Sequence, residues 1–429
     1  MTSIAGHGHA RRWSVLRNPP FARFFVGTTT SLAGTAIGTV ALPLVAVVML
    51  HASPVLVGVL SAAVWTPWLV IGLPAGAWAD RYSPRQLIVV ADLVSAALYA
   101  AVPVLIVTDT LTIWYLLVLA LAAGSSEVVS QAALQVVPPM LVPDEDLESA
   151  NAVLQGAESA TDLFGPLGNS LLTRLFGVAT GLTANALSFV VSAVCVGLTP
   201  QAGRPGLAAG PGPARPRLRD EILDGLRELF AHRLLRRLAL TGAVVNTALT
   251  GFAVLHPLFL IVSLGLPAAA VGVLLVGEGF AGILGAAIAP RVAQRLGTAG
   301  ALGLIGAVTF PFTFLVPLTT RGAGLALFVV GTAVPVFGVV AANVLMRTLR
   351  QREASPGSLG RVAAGSRMLA YATSPLAALL AGVVATAIGL RWSYVLFGLL
   401  LLAVAISFVV RPLAALEKPS PVPVGGSVD

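Results

Sequence analysis

Apolar residues run through this chain in blocks about 20 residues long, separated by short polar or basic turns, a spacing that matches one bilayer crossing per block. From Phe24 to Ala79 there is no Asp, Glu, Lys or Arg, so two crossings stand there with a turn near His51-Ala52-Ser53-Pro54. Continued along the chain, the pattern predicts spans near 22–48, 55–79, 87–107, 111–137, 149–173 and 178–198. A second set follows near 238–263, 268–289, 298–317, 322–346, 361–387 and 392–410. Backbone in hydrocarbon must satisfy its own hydrogen bonds, so the blocks are read as helices. The expected fold is an all-α membrane protein of twelve helices in two six-helix lobes. Its divisions are a cytoplasmic tail 1–20, a lobe 21–198, a linker 199–237, a lobe 238–411 and a tail 412–429.

Composition agrees with this pattern. With 57% hydrophobic residues, 10% charged and a mean hydropathy of +0.91, the chain is too apolar for a soluble core. The first block exceeds the roughly 7–15 apolar residues of a signal peptide and is read as a retained span. A single cysteine, Cys195, excludes an internal disulfide. Basic residues stay on the cytoplasmic side of a membrane. If both termini are cytoplasmic, the opposite turns hold only Arg174, Arg321 and Arg391, and all the rest of the 26 basic residues lie inside. The net charge of +8 therefore reports orientation and attraction to the lipid bilayer, with no need for a nucleic-acid partner. Between the lobes, Thr199 to Arg217 is rich in Pro, Gly, Ala and Arg and reads as a flexible connection. After it, Leu218, Ile222, Leu226, Leu229 and Phe230 recur at helical spacing, predicting an amphipathic helix on the membrane surface or against the lobes.

Two internal echoes set the period of the chain. Gly76-Ala-Trp-Ala-Asp80-Arg81-Tyr-Ser83-Pro84-Arg85 returns about 210 residues later as Ala286 to Arg295, with Pro290, Arg291 and Arg295. Leu147-Glu-Ser-Ala-Asn151 before the fifth span is matched by Leu359-Gly-Arg361-Val-Ala before the eleventh, and both spans then carry a proline, Pro166 and Pro375. The first segment resembles the signature loop of the major facilitator superfamily. Val142-Pro143, Leu147, Ala150-Asn151, Gly165-Pro166 and Leu359-Gly360-Arg361-Val362 resemble its drug and macrolide efflux branch, to which siderophore exporters also belong. That resemblance covers roughly residues 20–410 and implies two parallel six-helix halves. It also implies a cytoplasmic gate in which Asp80 faces the positive N-terminal end of the eleventh span. Gly76 allows close approach, and Arg81 and Arg85 form the scaffold. Arg291, Arg295, Arg361 and Arg367 belong to the same gate. Ser83, Pro84 and Gln86 depart from the family pattern, and Arg85 or Arg81 is then expected to reach Asp92 on the third span. Gly165-Pro166 resembles a helix-interface motif that lets the fifth span slide on the eighth, although Asn169 and Ser170 replace its usual glycines; a simple proline kink is the alternative.

Acids placed at membrane depth are the sharpest chemical signal. Glu127 falls midway along the fourth span, Glu158 and Asp162 one turn apart on the fifth, and Glu278 near the middle of the eighth. A charge there costs at least about 2.5–3.5 kcal/mol, so each should face water, meet a partner or be protonated. The family arrangement brings Glu158, Asp162 and Glu278 toward one interface. No Lys or Arg lies at that depth, which makes these acids candidates for proton or cation coupling; for Glu127 and Glu158 a structural hydrogen-bonding role is the alternative. His256, followed by Pro257, is a further candidate because imidazole titrates near neutral pH. Asn246 and Asn343 are candidate cavity contacts, as are Trp65 and Trp68, for which core packing is the competing reading.

Nothing in the chain resembles an enzyme centre. There is no phosphate-binding Gly-rich loop with its Lys and no Gly-x-Ser-x-Gly, and the five histidines lack metal-ligand spacing. No cofactor or metal is implied. The expected function is proton-coupled export of an amphipathic or cationic small molecule, a drug or natural product, by a monomer in the plasma membrane. An importer of a metabolite or siderophore with the same fold is one alternative, and a non-transporting membrane enzyme or scaffold is another.

Overall fold

The computed structural model describes residues 15–72, 74–75, 78, 82–134, 137–200, 227, 229–353 and 359–410. Among these residues every regular element is helical. The first six spans are Pro19–Val48, Pro54–Val70, Pro84–Val107, Ile113–Leu134, Asp144–Phe176 and Thr180–Gly197. The seventh is Arg233–Pro257, extended by a π-helical turn Leu258–Ser263. The eighth and ninth spans follow each other within Ala268–Thr309 as two helices that meet at a kink at Gly297, where φ is 72°. A 3-10 stretch, Phe310–Leu318, completes the ninth. The tenth to twelfth are Leu325–Glu353, Leu359–Ile388 and Leu390–Val410.

Among the described residues 9 helical segments are long and apolar enough to cross a membrane. One of these, Ala268–Leu318, contains the break at Gly297 and so provides two crossings. Pro54–Val70 is an apolar helix of 17 residues, and Asp144–Phe176 is 33 residues long with acids along its length. Adding both is consistent with twelve.

Helix starts follow local chemistry. The side chain of Asn18 accepts from the Phe21 amide ahead of Pro19, and Ser53 accepts from Leu56 ahead of Pro54. Proline suits the first turn because its missing N–H has no partner there anyway. Ser83 and Pro84 play the same part for the third span, occupying the N-cap and first helical position. Their departure from the family loop therefore begins a helix where a basic residue is usual.

Packing repeats across the two halves. The first span packs on the fifth and sixth, the second on the fourth, and the third on the fourth and sixth. Six spans later the seventh packs on the eleventh and twelfth, the eighth on the tenth, and the ninth on the tenth and twelfth. The lobes meet where the second span packs on the eleventh and the fifth on the eighth. Glycine sets these approaches. A methyl group on Gly58 would lie 2.6 Å from the Ala378 carbonyl and 3.1 Å from the Gly382 Cα. Gly272 is pressed against the Pro166 carbonyl and Ser170, and Gly165 against Ala36 of the first span. Gly165-Pro166 thus serves two neighbours: the glycine admits the first span, and the proline carbonyl meets the eighth.

Arginines at the span ends donate to carbonyls at the ends of other spans, where the helix dipole is negative. Arg85 bonds the Gly197 carbonyl and Arg23 the Leu198 carbonyl, both closing the sixth span. Of the two arginines expected to reach Asp92, Arg85 is taken by this helix terminus instead, while buried Asp92 meets Ser192 of the sixth span. Arg321 donates to the Leu264 carbonyl, and Arg391 donates to the carbonyls of Pro317 at 2.9 Å and Thr319 at 3.3 Å. Gly76, Asp80 and Arg81 lie outside the described residues, as do residues 1–14, 201–226 and 411–429 and the side chains of Asp162, Arg361 and Arg367. From the expected amphipathic helix, Leu229 is fully buried against Leu235, Ala239 and Leu369.

Candidate functional site

Prolines inside the spans shape the central cavity. Pro43, Pro257 and Pro335 each lack the amide hydrogen that the carbonyl four residues earlier would otherwise receive, so the helical ladder is open at Thr39, Ala253 and Gly331. All six of these residues line one cavity of about 420 Å³ between the first, seventh, eighth, ninth, tenth and twelfth spans. Pro257 also ends the regular part of the seventh span, where the π turn takes over. Such turns accompany functional sites in many helices.

Three side chains meet in this cavity. Nε2 of His256 faces Oε1 of Glu278 at 3.4 Å, and Nδ1 lies 3.2 Å from the Tyr394 hydroxyl. Thr332 of the tenth span lies beside the Glu278 carboxylate, its hydroxyl donating to the Val329 carbonyl of its own helix at 3.4 Å. His256 is only 6% exposed and sits in an aromatic frame: Phe252 and Tyr394 stack along its ring and Phe328 meets it edge-on at 5.4 Å. The carboxyl side of the pair opens to the cavity, with the Glu278 side chain 25% exposed. Apolar atoms dominate the remaining wall, in the manner of small-molecule sites generally.

A second, smaller pocket of about 180 Å³ holds Glu127 and Glu158. Gln131 donates to Glu127 at 2.8 Å and Gln155 to Glu158 at 2.9 Å. Thr39 lines both pockets and marks where they adjoin. The acids therefore divide. Although the fifth and eighth spans pack together, Glu158 sits with Glu127 in the first lobe, and Glu278 faces a histidine of its own lobe instead of joining them. Glu278 nonetheless has a neighbour of its own, since His256 on the seventh span stands at its depth, while no Lys or Arg lines the cavity.

Other sequence candidates take structural places. Asn246 does not line the cavity: its amide donates to the Ala370 carbonyl and the Ser374 hydroxyl, both at 2.8 Å, tying the seventh span to the eleventh. Trp65 and Trp68 pack on Tyr371 at 5.7 and 4.6 Å between the lobes. Asn343 is exposed on the tenth span, outside both pockets. Arg291 bonds the Ala287 carbonyl of its own helix, and Arg295 is exposed. Sequence reasoning passed over Tyr394, Thr332, Thr39, Pro43 and Pro335. The signal available for the prolines was their position in mid-span on the first and tenth helices; for Tyr394 no neighbouring residue marked it.

Residues 24–374 match the family model described as Major Facilitator Superfamily. The chain is similar to the multidrug efflux pump Tap of Mycobacterium tuberculosis, 27% identical over 420 residues and 94% of each chain. It is 29% identical over 416 residues to Tap of Mycolicibacterium fortuitum, covering 92% of this chain and 96% of that one. Macrolide efflux protein A of Streptococcus pyogenes is 22% identical over 351 residues, covering 79% of this chain and 83% of that relative. Among solved structures, the nucleoside transporter NupG superposes with a TM-score of 0.72 at 13% identity, over 94% of this chain and 100% of that one. A bacterial homologue of the iron transporter ferroportin in an inward-facing state gives 0.71 at 16%, over 91% and 98%. These two structures share the fold. With twin lobes around a cavity and a family match over most of its length, the chain belongs to the major facilitator superfamily and is a multi-pass membrane transporter rather than an enzyme.

Proposed function

We propose that the protein is a proton-coupled exporter that carries amphipathic, cationic small molecules by alternating access, as a monomer with both termini in the cytoplasm. The observation that carries this reading is Glu278: a carboxyl that borders a largely apolar cavity, faces His256 at 3.4 Å and has no Lys or Arg among the lining residues. A proton and a substrate cation compete for such a carboxyl, and competition of this kind is sufficient for exchange. Protonation neutralises the acid and releases the cation; deprotonation restores the site. The likeness to Tap and to macrolide efflux protein A supports export, and the distribution of arginines supports the orientation. Glu127 and Glu158, each held by a glutamine, form a second acidic site on the first lobe that a proton can reach separately.

The test is transport of a fluorescent lipophilic cation in proteoliposomes with an imposed proton gradient. Wild-type protein is expected to accumulate the cation against its gradient and to stop when a protonophore is added. Glu278→Gln is expected to abolish the proton-driven component. Transport that continues unchanged after collapse of the gradient, or in Glu278→Gln, refutes the coupling.

A further inference from the structure

The cavity wall offers hydrogen-bond acceptors out of proportion to its donors. Three spans each contribute a mid-helix proline together with the residue four positions earlier, whose carbonyl has lost its ladder donor: Thr39 with Pro43, Ala253 with Pro257, and Gly331 with Pro335. These pairs come from separate spans, the first, seventh and tenth, so one kink cannot account for all of them. Thr313 adds a hydroxyl that is 2% exposed, borders the same cavity and has no partner. Oε1 of Glu278 is buried without an aligned hydrogen bond. On the donor side, Lys, Arg, Asn and Gln are absent from the lining residues, the hydroxyls of Thr39 and Thr332 donate to the Ala36 and Val329 carbonyls of their own helices, and His256 is turned toward Tyr394 and Glu278.

From this arrangement we infer that the cavity selects protonated amines that carry N–H donors over quaternary cations of the same shape. The inference rests on the proposed reading of this cavity as the substrate site and deepens it. Its physical basis is a contrast in desolvation. A primary ammonium is strongly hydrated and loses more on entering an apolar cavity than a trimethylammonium group does. An aromatic frame with one carboxylate therefore favours the quaternary ion, because cation–π attraction and charge pairing act on both while the dehydration penalty falls mainly on the ammonium. Only fixed acceptors that replace the lost water reverse this order. Proline-opened carbonyls are suited to that role, since they are already without their helical partner and need no rearrangement.

The experiment uses a matched pair, a lipophilic aryl-alkyl primary amine and its N,N,N-trimethyl derivative, titrated calorimetrically into the full chain in lipid nanodiscs at a pH where the amine is charged. The expected result is at least about 10-fold tighter binding of the primary amine. Pro43→Ala, Pro257→Ala and Pro335→Ala each supply the missing amide hydrogen and close the carbonyl into the helix; alanine also favours helix, so the substitutions are compatible with folding. Each is expected to lower the ratio of the primary amine's affinity to that of the trimethyl derivative by at least about 3-fold, the ratio being read within one variant so that a general change in the cavity cancels. Thr313→Val removes the unpartnered hydroxyl at near-constant volume and is expected to act in the same direction. Equal affinities in the wild type, tighter binding of the quaternary ion, or a preference unchanged in all four variants overturns the inference and leaves the cavity reading standing. Failure of both cations to bind, or binding of both unaffected by Glu278→Gln, overturns the substrate-site reading itself and the inference with it.

Discussion

Gly58 and Gly382 face each other where the second span meets the eleventh, and they give the clearest route to shifting the transport cycle by sterics alone. An added methyl on Gly58 would stand 2.6 Å from the Ala378 carbonyl, where ordinary contact begins at 3.4 Å. On Gly382 it would stand 2.5 Å from the Pro54 carbonyl and 3.0 Å from the Val55 Cα. Both obstacles are backbone, which cannot rotate away as a side chain can. Overpacking of this kind costs about 1–3 kcal/mol. The cost applies only while the lobes touch at this end, so in Gly58→Ala the population is expected to move by about 5- to 150-fold toward conformations open there. Spin labels at Thr110→Cys in the first lobe and Ala323→Cys in the second, on a Cys195→Ser background, report the separation by pulsed electron resonance. The expected change is growth of a longer-distance component in Gly58→Ala and in Gly382→Ala. Gly156→Ala is the control, because nothing lies within 4 Å of that added methyl. A distance distribution identical in all three, with folding intact, would falsify the idea that these glycines hold one end of the transporter shut.

Other perturbations should act through folding stability. Gly251→Ala places a methyl 2.5 Å from the Phe397 ring between the seventh and twelfth spans, and thermal denaturation in detergent should register a loss of about 1–3 kcal/mol; an unchanged melting point counts against the tight packing there. In Asn246→Ala the two bonds to the eleventh span disappear and the Ser374 hydroxyl, 0% exposed, loses its donor, so a cost of about 1–3 kcal/mol is expected by the same assay. Arg391→Leu cuts the ties to Pro317 and Thr319; since the arginine is exposed, about 1 kcal/mol or less is expected, and a larger loss indicates that the turn depends on it more heavily.

The span pattern was legible because hydrocarbon imposes a length and a composition that local sequence must meet. Even so, Gly297 shows a limit: between Arg295 and Thr298 the sequence reads as a gap between two spans, whereas the helix runs on to a single residue with left-handed φ. Acids within the spans were equally legible, since few other residues are so costly in lipid, and Glu127, Glu158 and Glu278, all half-buried, border pockets. Their grouping was not. Which acid faces which depends on helix rotation and on packing between lobes, and one sequence carries no record of either. Asn246 illustrates the same loss: a polar residue in a span wants a partner, and its sequence does not say that Ser374 on another helix supplies one. Arg321 and Arg391, which the charge pattern leaves on the sparsely basic side, have a structural reason to be there that the sequence does not show: each donates to carbonyls that hold its turn together.

The break at Gly297 leaves almost no slack between the eighth and ninth spans. The helix that carries Glu278 is thus joined to the ninth span through one glycine, and the far end of the ninth is fastened by Arg391 to the start of the twelfth, three residues before Tyr394. Acid and hydroxyl, on opposite sides of His256, are thus joined a second time by a closed linkage of helices with few independent degrees of freedom. A change of angle at Gly297 therefore bears on where Glu278 stands relative to Tyr394, and so on the contact that His256 makes between them.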